Sequence, residues 1–534
     1  MPVPQYVAPL LRRSDEPNPF DRARSTRLRV LVDQPLVTGP VDGKDAYRGY
    51  PFIGSGSTGY PDAPAVLRSY LCHPALEVLR VTDELRDAGD VVLGEPGLND
   101  TLSFERKTAT GGAYSGINYY RQAVDEAAEL TCKYRIDAAD AHAGVVLYRI
   151  GNELETDLTV TDRQWLLAER SRPHGEHLAN LVSPDEALAL IGLYLRWHHH
   201  PVIIGGELVV WRPASMCRSI AYTAMPSFER WNQAGRAWHD NTAGGDLTLE
   251  RLNQTLLTRV ARAFQFRDSI FALSATMTDD EPEEMLCELD SLLYSLVSAF
   301  DVTARTVDRI FRLGSKPQRI GWQNTDWQPK LEPTAKDLYD CTAAGTEMQR
   351  VFEVLRWLRN SVHNEALNLT RDERQFYVTL DADTQDKLRA FLRSGHADWT
   401  ATNLGIRVQP PGGATVGKWL EGTGRYSVTV RRTGAPRPTD PLDGQLTIDV
   451  RRLINKLFPA TLQWLDSIMT LAPLHLVPGY RPALDNPSRV NLPWRFSDTT
   501  GHPYASSTAS PNSHSGTVIP RREGPRATQL EPPA

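Results

Sequence analysis

Apolar positions fall into two regimes along the chain. Between residues 27 and 246, short apolar runs alternate with longer periodic segments. "RLRVLV" (27–32), "DVVL", "AGVVLYRI" and "PVIIGGELVVW" read as strands, and "NYYRQAVDEAAELT" and "SPDEALALIGLYLRW" as helices. In the last of these, Ser183 and Glu186 have the spacing of a capping box. Strands alternating with helices predict an α/β domain over 27–246, without the regularity that would specify a doubly wound sheet.

From residue 247 the period becomes helical throughout. "LTLERLNQTLLTRVARAFQFRDSIFAL" predicts one long helix, and Asp280, Pro282 and the acidic residues around them start another. The second keeps Leu286, Leu289, Leu293, Leu296, Val297, Phe300, Val307 and Phe311 on one stripe. That is about 30 residues, or ~45 Å at ~1.5 Å per residue. A Trp-containing loop (314–332) leads to "TEMQRVFEVLRWLRNSVH", with a stripe of Met348, Val351, Phe352, Leu355, Leu358 and Val362. Long helices with single apolar stripes predict a bundle over 247–370. Residues 371–475 predict an amphipathic helix ("DADTQDKLRAFLRS"), a meander of "LGIRV", "YSVTV" and "QLTIDV", and a closing helix kinked at Pro459. Residues 1–26 read as an irregular arm. Residues 476–534, rich in Pro, Ser and Thr, read as a disordered tail. The fold class is therefore a multidomain α+β protein.

Composition narrows the setting. A chain of 534 residues holds several domains, and a net charge of −6 provides no overall attraction to nucleic acid or anionic membrane. The cysteines (Cys72, Cys132, Cys217, Cys287, Cys341) are odd in number and form no CxxC pair. This fits neither a disulfide framework nor a structural zinc site, and suits a reducing compartment. The N-terminus has no apolar leader and no run approaches ~18 apolar residues, so a cytoplasmic protein without membrane partners is expected.

The stretch that points to chemistry is "LRWLRNSVHNEAL" (355–367). On a helix, Arg356, Arg359 and His363 follow at i, i+3 and i+7, on one face at the edge of the apolar stripe. Asp301 and Asp308 hold the corresponding edge of the preceding long helix. One reading pairs an aspartate with Arg359 to neutralise a half-buried charge, while His363 bonds carbonyls at the helix end. The other lets an arginine hold a phosphate while His363 moves a proton near neutral pH.

"RWLRNSVHN" at the end of a bundle helix resembles the HEPN superfamily, small helical bundles with an Arg, four to six residues, then a His, often with Asn after the Arg. Arg356 meets the spacing but is followed by Trp357; Arg359 is followed by Asn360 but stands three residues before His363. The resemblance spans about 250–370. It implies a metal-independent endoribonuclease of the toxin or phage-defence kind, in which a 2′-hydroxyl attacks the adjacent phosphate. The expected catalytic group is His363, Arg359, Arg356 and Asn360, with Asp301 or Asp308 orienting the arginine. RNA and a second copy of the chain are the implied partners, and no cofactor or metal. The family also contains members that only bind, which implies the alternative of a non-catalytic scaffold with the α/β half as a ligand sensor.

Weaker signals lie elsewhere. Glu105 and Lys107 form an ExK, with Asp100 and Asp90 before it and Gln122 after it, an order similar to that of metal-dependent nucleases; an exposed charged strand explains it as well. Gly54, Gly56 and Gly59 match GxGxxG, but Pro61 and Pro64 interrupt the helix that should follow, so a loop is expected. "HGEH" (His174, Glu176, His177) and the triplet His198, His199, His200 could bind metal, though a loop or turn is the better reading. Arg425, Arg431, Arg432 and Arg437 around Tyr426 form a basic strand that could stack RNA bases or simply guard a sheet edge.

Overall fold

The computed structural model describes residues 26–37, 73–93, 101–107, 113–169, 181–200, 227–275, 281–364, 375–395, 403–409 and 444–481, with shorter pieces between them. It is an α+β protein. The first half is built on β1 (Leu28–Val32), a short α1 (Gln34–Val37), β2 (Leu76–Val81), β3 (Asp90–Leu93), and the hairpin β4 (Thr101–Lys107) and β5 (Ala113–Tyr119). Then come α2 (Tyr120–Tyr134), α3 (Ala138–Glu153), β6 (Leu158–Val160), α4 (Gln164–Glu169), β7 (Leu181–Val182) and α5 (Pro184–Trp197). The seven strands form one sheet in the order β5-β4-β3-β2-β1-β6-β7. The five from β3 to β7 in that order are parallel, and the β4–β5 hairpin adds antiparallel strands at one edge.

Both faces of the sheet are covered, as parallel sheets require. Leu28, Val30 and Val32 pack toward α5, while Leu31 faces the core made with α2 and α3. "AGVVLYRI", expected as a strand, lies within α3; Asp137 caps that helix, its carboxylate accepting from the backbone N–H of Ala139 at 2.9 Å. A short apolar run cannot by itself distinguish a buried strand from a buried helix. The capping box at α5 is formed: Ser183 Oγ accepts from Glu186 N at 3.2 Å and Glu186 accepts from Ser183 N at 2.9 Å. Within the N-terminal arm, Phe20 is buried in the α5-side core and its carbonyl accepts from the Trp197 indole at 2.9 Å. The short pair β8 (Val202–Ile203) and β9 (Val210–Trp211) follows.

The second half begins with α6 (Phe228–Asn241), α7 (Thr248–Ala275) and α8 (Glu281–Phe311). α9 (Lys336–Thr342) and α10 (Glu347–Asn364) precede β10 (Asn368–Asp372), β11 (Gln375–Thr379), α11 (Ala382–Arg393) and β12 (Ile406–Gln409). β13 (Gly413–Leu420), β14 (Gly424–Arg431), β15 (Gln445–Asp449) and α12 (Val450–Leu471) complete it. The expected meander does not form. "LGIRV" and "QLTIDV" join a four-stranded sheet, β10-β11-β15-β12, while "YSVTV" pairs with β13 in a separate hairpin. One apolar core runs from the bundle through this sheet and α12, including Leu355, Val378, Ile448 and Leu465, so bundle and sheet are not separate bodies. α12 continues through Pro459. The chain is ordered past 476: Val477 is buried in the same core. The tail beyond 481 lies outside the described residues.

The loop after α8 is pinned by two buried tryptophans packed edge to face at 5.3 Å. Trp322 donates to Phe300 O at 3.1 Å, and Trp327 to Asp308 at 2.9 Å. The two halves meet where the end of α7 enters the α5-side core. There Arg196 of α5 holds the Asp268 carboxylate at 2.5 and 3.1 Å, and Arg267 holds it at 3.1 Å while stacking on Phe264 and Phe458. No helix among the described residues is long and apolar enough to cross a membrane.

Candidate functional site

The antiparallel packing of α8 and α10 sets which aspartate comes within electrostatic reach of Arg359. Phe300 lies against Phe352, while Leu289 and Leu293 line a small apolar space with Leu358 and Val362. In this register Asp301 stands within electrostatic reach of Arg359. Asp308 lies seven residues further along α8, about 10 Å at ~1.5 Å per residue, in the direction away from the end of α10. It is buried and accepts from the Trp327 indole, a bond that ties it to the loop after α8. The apolar stripes alone left the register, and hence the choice, undetermined.

Arg359 is half-buried. Its Nη1 donates to Asn360 Oδ1 at 3.1 Å, and its Nε is buried with no hydrogen-bond partner among the described residues. Arg356, one turn earlier, is also half-buried. Trp357 packs edge to face on Phe391 of α11 at 5.9 Å, and the buried Ser361 accepts from Asp381 N at 3.1 Å. The far side of α10 is thus committed to packing, and the Arg359–Asn360 pair is the polar edge that remains. His363 is in the last turn of α10; its side chain lies outside the described residues.

Burial lifts the Asp301 carboxyl above the usual carboxylate range, and the positive charges of Arg305 and Arg359 offset this only in part. A raised folded-state value means that this carboxyl favours folding at low pH. That contribution is lost as pH rises through the folded-state value. Asp301→Asn, which never ionises, is therefore expected to raise the melting midpoint near neutral pH. The gain should vanish below about pH 4, the unfolded carboxylate range. Melting curves across pH check this; a lower midpoint for the variant at neutral pH would show that attraction to Arg359 outweighs burial.

Of the N-terminal ExK group, Asp90 and Lys107 are committed to other bonds. Asp90 is buried, paired with Arg80 at 2.9 Å and accepting from Arg86 N at 2.9 Å, so its oxygens tie a turn. Glu105 is exposed on β4, and Lys107 donates to Arg86 O at 2.5 Å. Asp100 and the side chain of Gln122 lie outside the described residues, as do Gly54, Gly56, Gly59, His174, Glu176 and His177. The triplet is at the end of α5. His198 closes the helix, His199 takes a positive φ of 54°, and the turn brings the His198 and His200 rings to 6.3 Å, with His73 at 5.7 Å from His200. A turn was expected; the convergence of the first and third rings was not, because it depends on that left-handed residue. Among the described residues no group of three or more His, Cys, Asp or Glu could hold a metal ion. Arg425, Tyr426 and Arg431 are on β14 with their side chains outside the described residues, and Arg432 and Arg437 lie outside altogether.

Sequence reasoning missed one polar cluster. Asp33, Asp140, Thr161 and Arg163 meet at the carboxyl ends of β1 and β6, where Arg163 Nε donates to Asp33 at 2.8 Å. Its signal in the chain is faint: a single Asp directly after "RVLV" and "TDR" directly after "LTV". No family model matches this chain, and no curated protein or solved structure matches it either.

Proposed function

We propose that the chain is a HEPN-like effector acting as a metal-independent endoribonuclease, of the kind used in bacterial toxin or phage-defence systems. The observation that carries this reading is the guanidinium of Arg359. One nitrogen is held by Asn360, the Asp301 charge is nearby, and the buried Nε has no hydrogen-bond partner among the described residues, four residues before His363. Such a guanidinium can take a phosphate oxygen. In the proposed reaction His363 accepts the proton of the attacking 2′-hydroxyl or donates one to the leaving 5′-oxygen. Arg359, with Arg356 as a second cation, offsets charge developing on the phosphate, and Asp301 keeps Arg359 in place. A second copy of the chain would complete the site.

The test is cleavage of a labelled RNA pool by the purified full chain in excess chelator. Cutting that persists in chelator and falls with Arg359→Ala supports the reading; an intact pool rejects it. In that event the alternative stands, a non-catalytic HEPN-like scaffold with a ligand-sensing α/β half. The charged cluster at the carboxyl ends of β1 and β6 is the observation that favours it.

A further inference from the structure

The chain carries 59 basic and 65 acidic residues, yet the stretch 302–319 holds five cations and one acid. The acid, Asp308, is buried against Trp327. The cations, Arg305, Arg309, Arg312, Lys316 and Arg319, are all exposed. Arg305, Arg309 and Arg312 follow at i, i+4 and i+7, which places them on one face at the end of α8. Lys316 and Arg319 extend the row along the loop, where Arg319 N donates to Lys316 O at 2.8 Å. Attraction to the negative end of the helix dipole accounts for a cation in the last turn. It does not account for Arg305, which lies before that turn, or for Lys316 and Arg319, which lie beyond the helix.

The row is held in place but left uncommitted. The Arg309 and Arg312 guanidiniums each lie 5.3 Å from the centroid of the Trp238 ring, and Arg309 also pairs with Asp246. Arg305, Arg312, Lys316 and Arg319 make no ion pair among the described residues. Like charges gathered without partners repel one another, so the row adds nothing to the stability of the fold. Phe311, Leu313 and Ile320 pack on the core, and among the described residues no large apolar side chain between 301 and 320 is exposed. A protein partner would look for an apolar centre; this row offers charge alone. At its start the row adjoins the candidate site, because Asp301 feels the positive charges of both Arg305 and Arg359. From Arg305 to Arg312 the helix advances ~10 Å at ~1.5 Å per residue, so the cations follow a line. A line of unpaired cations without an apolar centre fits a polyanion backbone.

We propose that Arg305, Arg312, Lys316 and Arg319 form a track for the phosphate backbone of an RNA strand whose scissile phosphate lies at Arg359. The placing of the scissile phosphate rests on the endoribonuclease reading; the binding does not. The test follows the fluorescence anisotropy of a labelled 2′-O-methyl RNA, which lacks the attacking hydroxyl, as the full chain is added. With ~4 phosphate contacts to a single strand, log affinity should fall against log salt with a slope of about −3, ~0.7 per contact. Lys316→Gln with Arg319→Gln should bind roughly tenfold or more weakly and flatten the slope by ~1.4. Arg305→Gln alone should flatten it by ~0.7. Arg86→Gln with Lys387→Gln removes the same charge as the first pair from exposed positions elsewhere and should bind like wild type. Absence of binding at about 50 mM salt overturns the proposal, the result expected if the row meets an acidic protein instead. Equal slopes for wild type and the Lys316→Gln, Arg319→Gln pair overturn it too, as does an equal loss in the Arg86→Gln, Lys387→Gln pair. Binding that behaves as expected while natural RNA stays intact upholds the track and rejects the nuclease reading; cleavage with equal slopes does the reverse.

Discussion

Replacing His363 by Ala is expected to lower RNA cleavage by ~10²–10⁴-fold, the usual worth of a positioned general acid or base. The fold should survive, because residues 348–358 of α10 supply its buried stripe and His363 is in the last turn. The activity should be indifferent to chelator in wild type. If His363 instead only satisfies carbonyls at the helix end, the variant should lose ~1 kcal/mol of stability, by analogy with other helix caps. Cleavage would then be unchanged. Labelled-RNA cleavage and melting curves for both proteins, with and without chelator, separate these outcomes. Equal cutting by variant and wild type removes His363 from the chemistry.

The second large effect concerns the joint between the halves. Asp268→Ala is expected to cost ~3–5 kcal/mol, the range for removing one partner of a buried ion pair. Arg196 and Arg267 are each about 3% exposed, and both bond this carboxylate. Its loss leaves two guanidiniums close together without it. Denaturant unfolding measures the cost, and calorimetry tests its location. A transition that splits in two would show that the carboxylate couples the sheet half to the bundle. A loss under about 1 kcal/mol would mean that the guanidiniums find other anions.

What could be read from the sequence was local. The Ser183–Glu186 box and the stripes of α8 and α10 follow from spacing within one element, and they are present in the structure. Partnering was harder to read. β10 and β11 are short strands in a region expected to lead directly into α11, and β13 contains Gly413 and Gly417, which mask its strand character. The candidate site divides the same way. Arg356, Arg359, Asn360 and His363 come from one helix and could be seen together. The choice of Asp301 over Asp308 needed the antiparallel register. Asp33 and Arg163 are 130 residues apart and meet only because β6 pairs with β1, which no local pattern records.

That pairing also has a consequence for synthesis. β1 is a central strand, yet one of its two neighbours arrives late: Arg29 and its partner Asp157 are separated by 128 residues. At ~5–20 residues per second, translation leaves that edge of β1 without its partner for roughly 6–26 s after the strand is made. During this interval Val30, Leu31 and Val32, fully buried in the finished fold, border an open edge that could pair with another nascent chain. The α7 and α8 helices are near neighbours in sequence as well as in space and face no such delay. Failures of folding in the cell should therefore start in the sheet half and follow the speed of the ribosome.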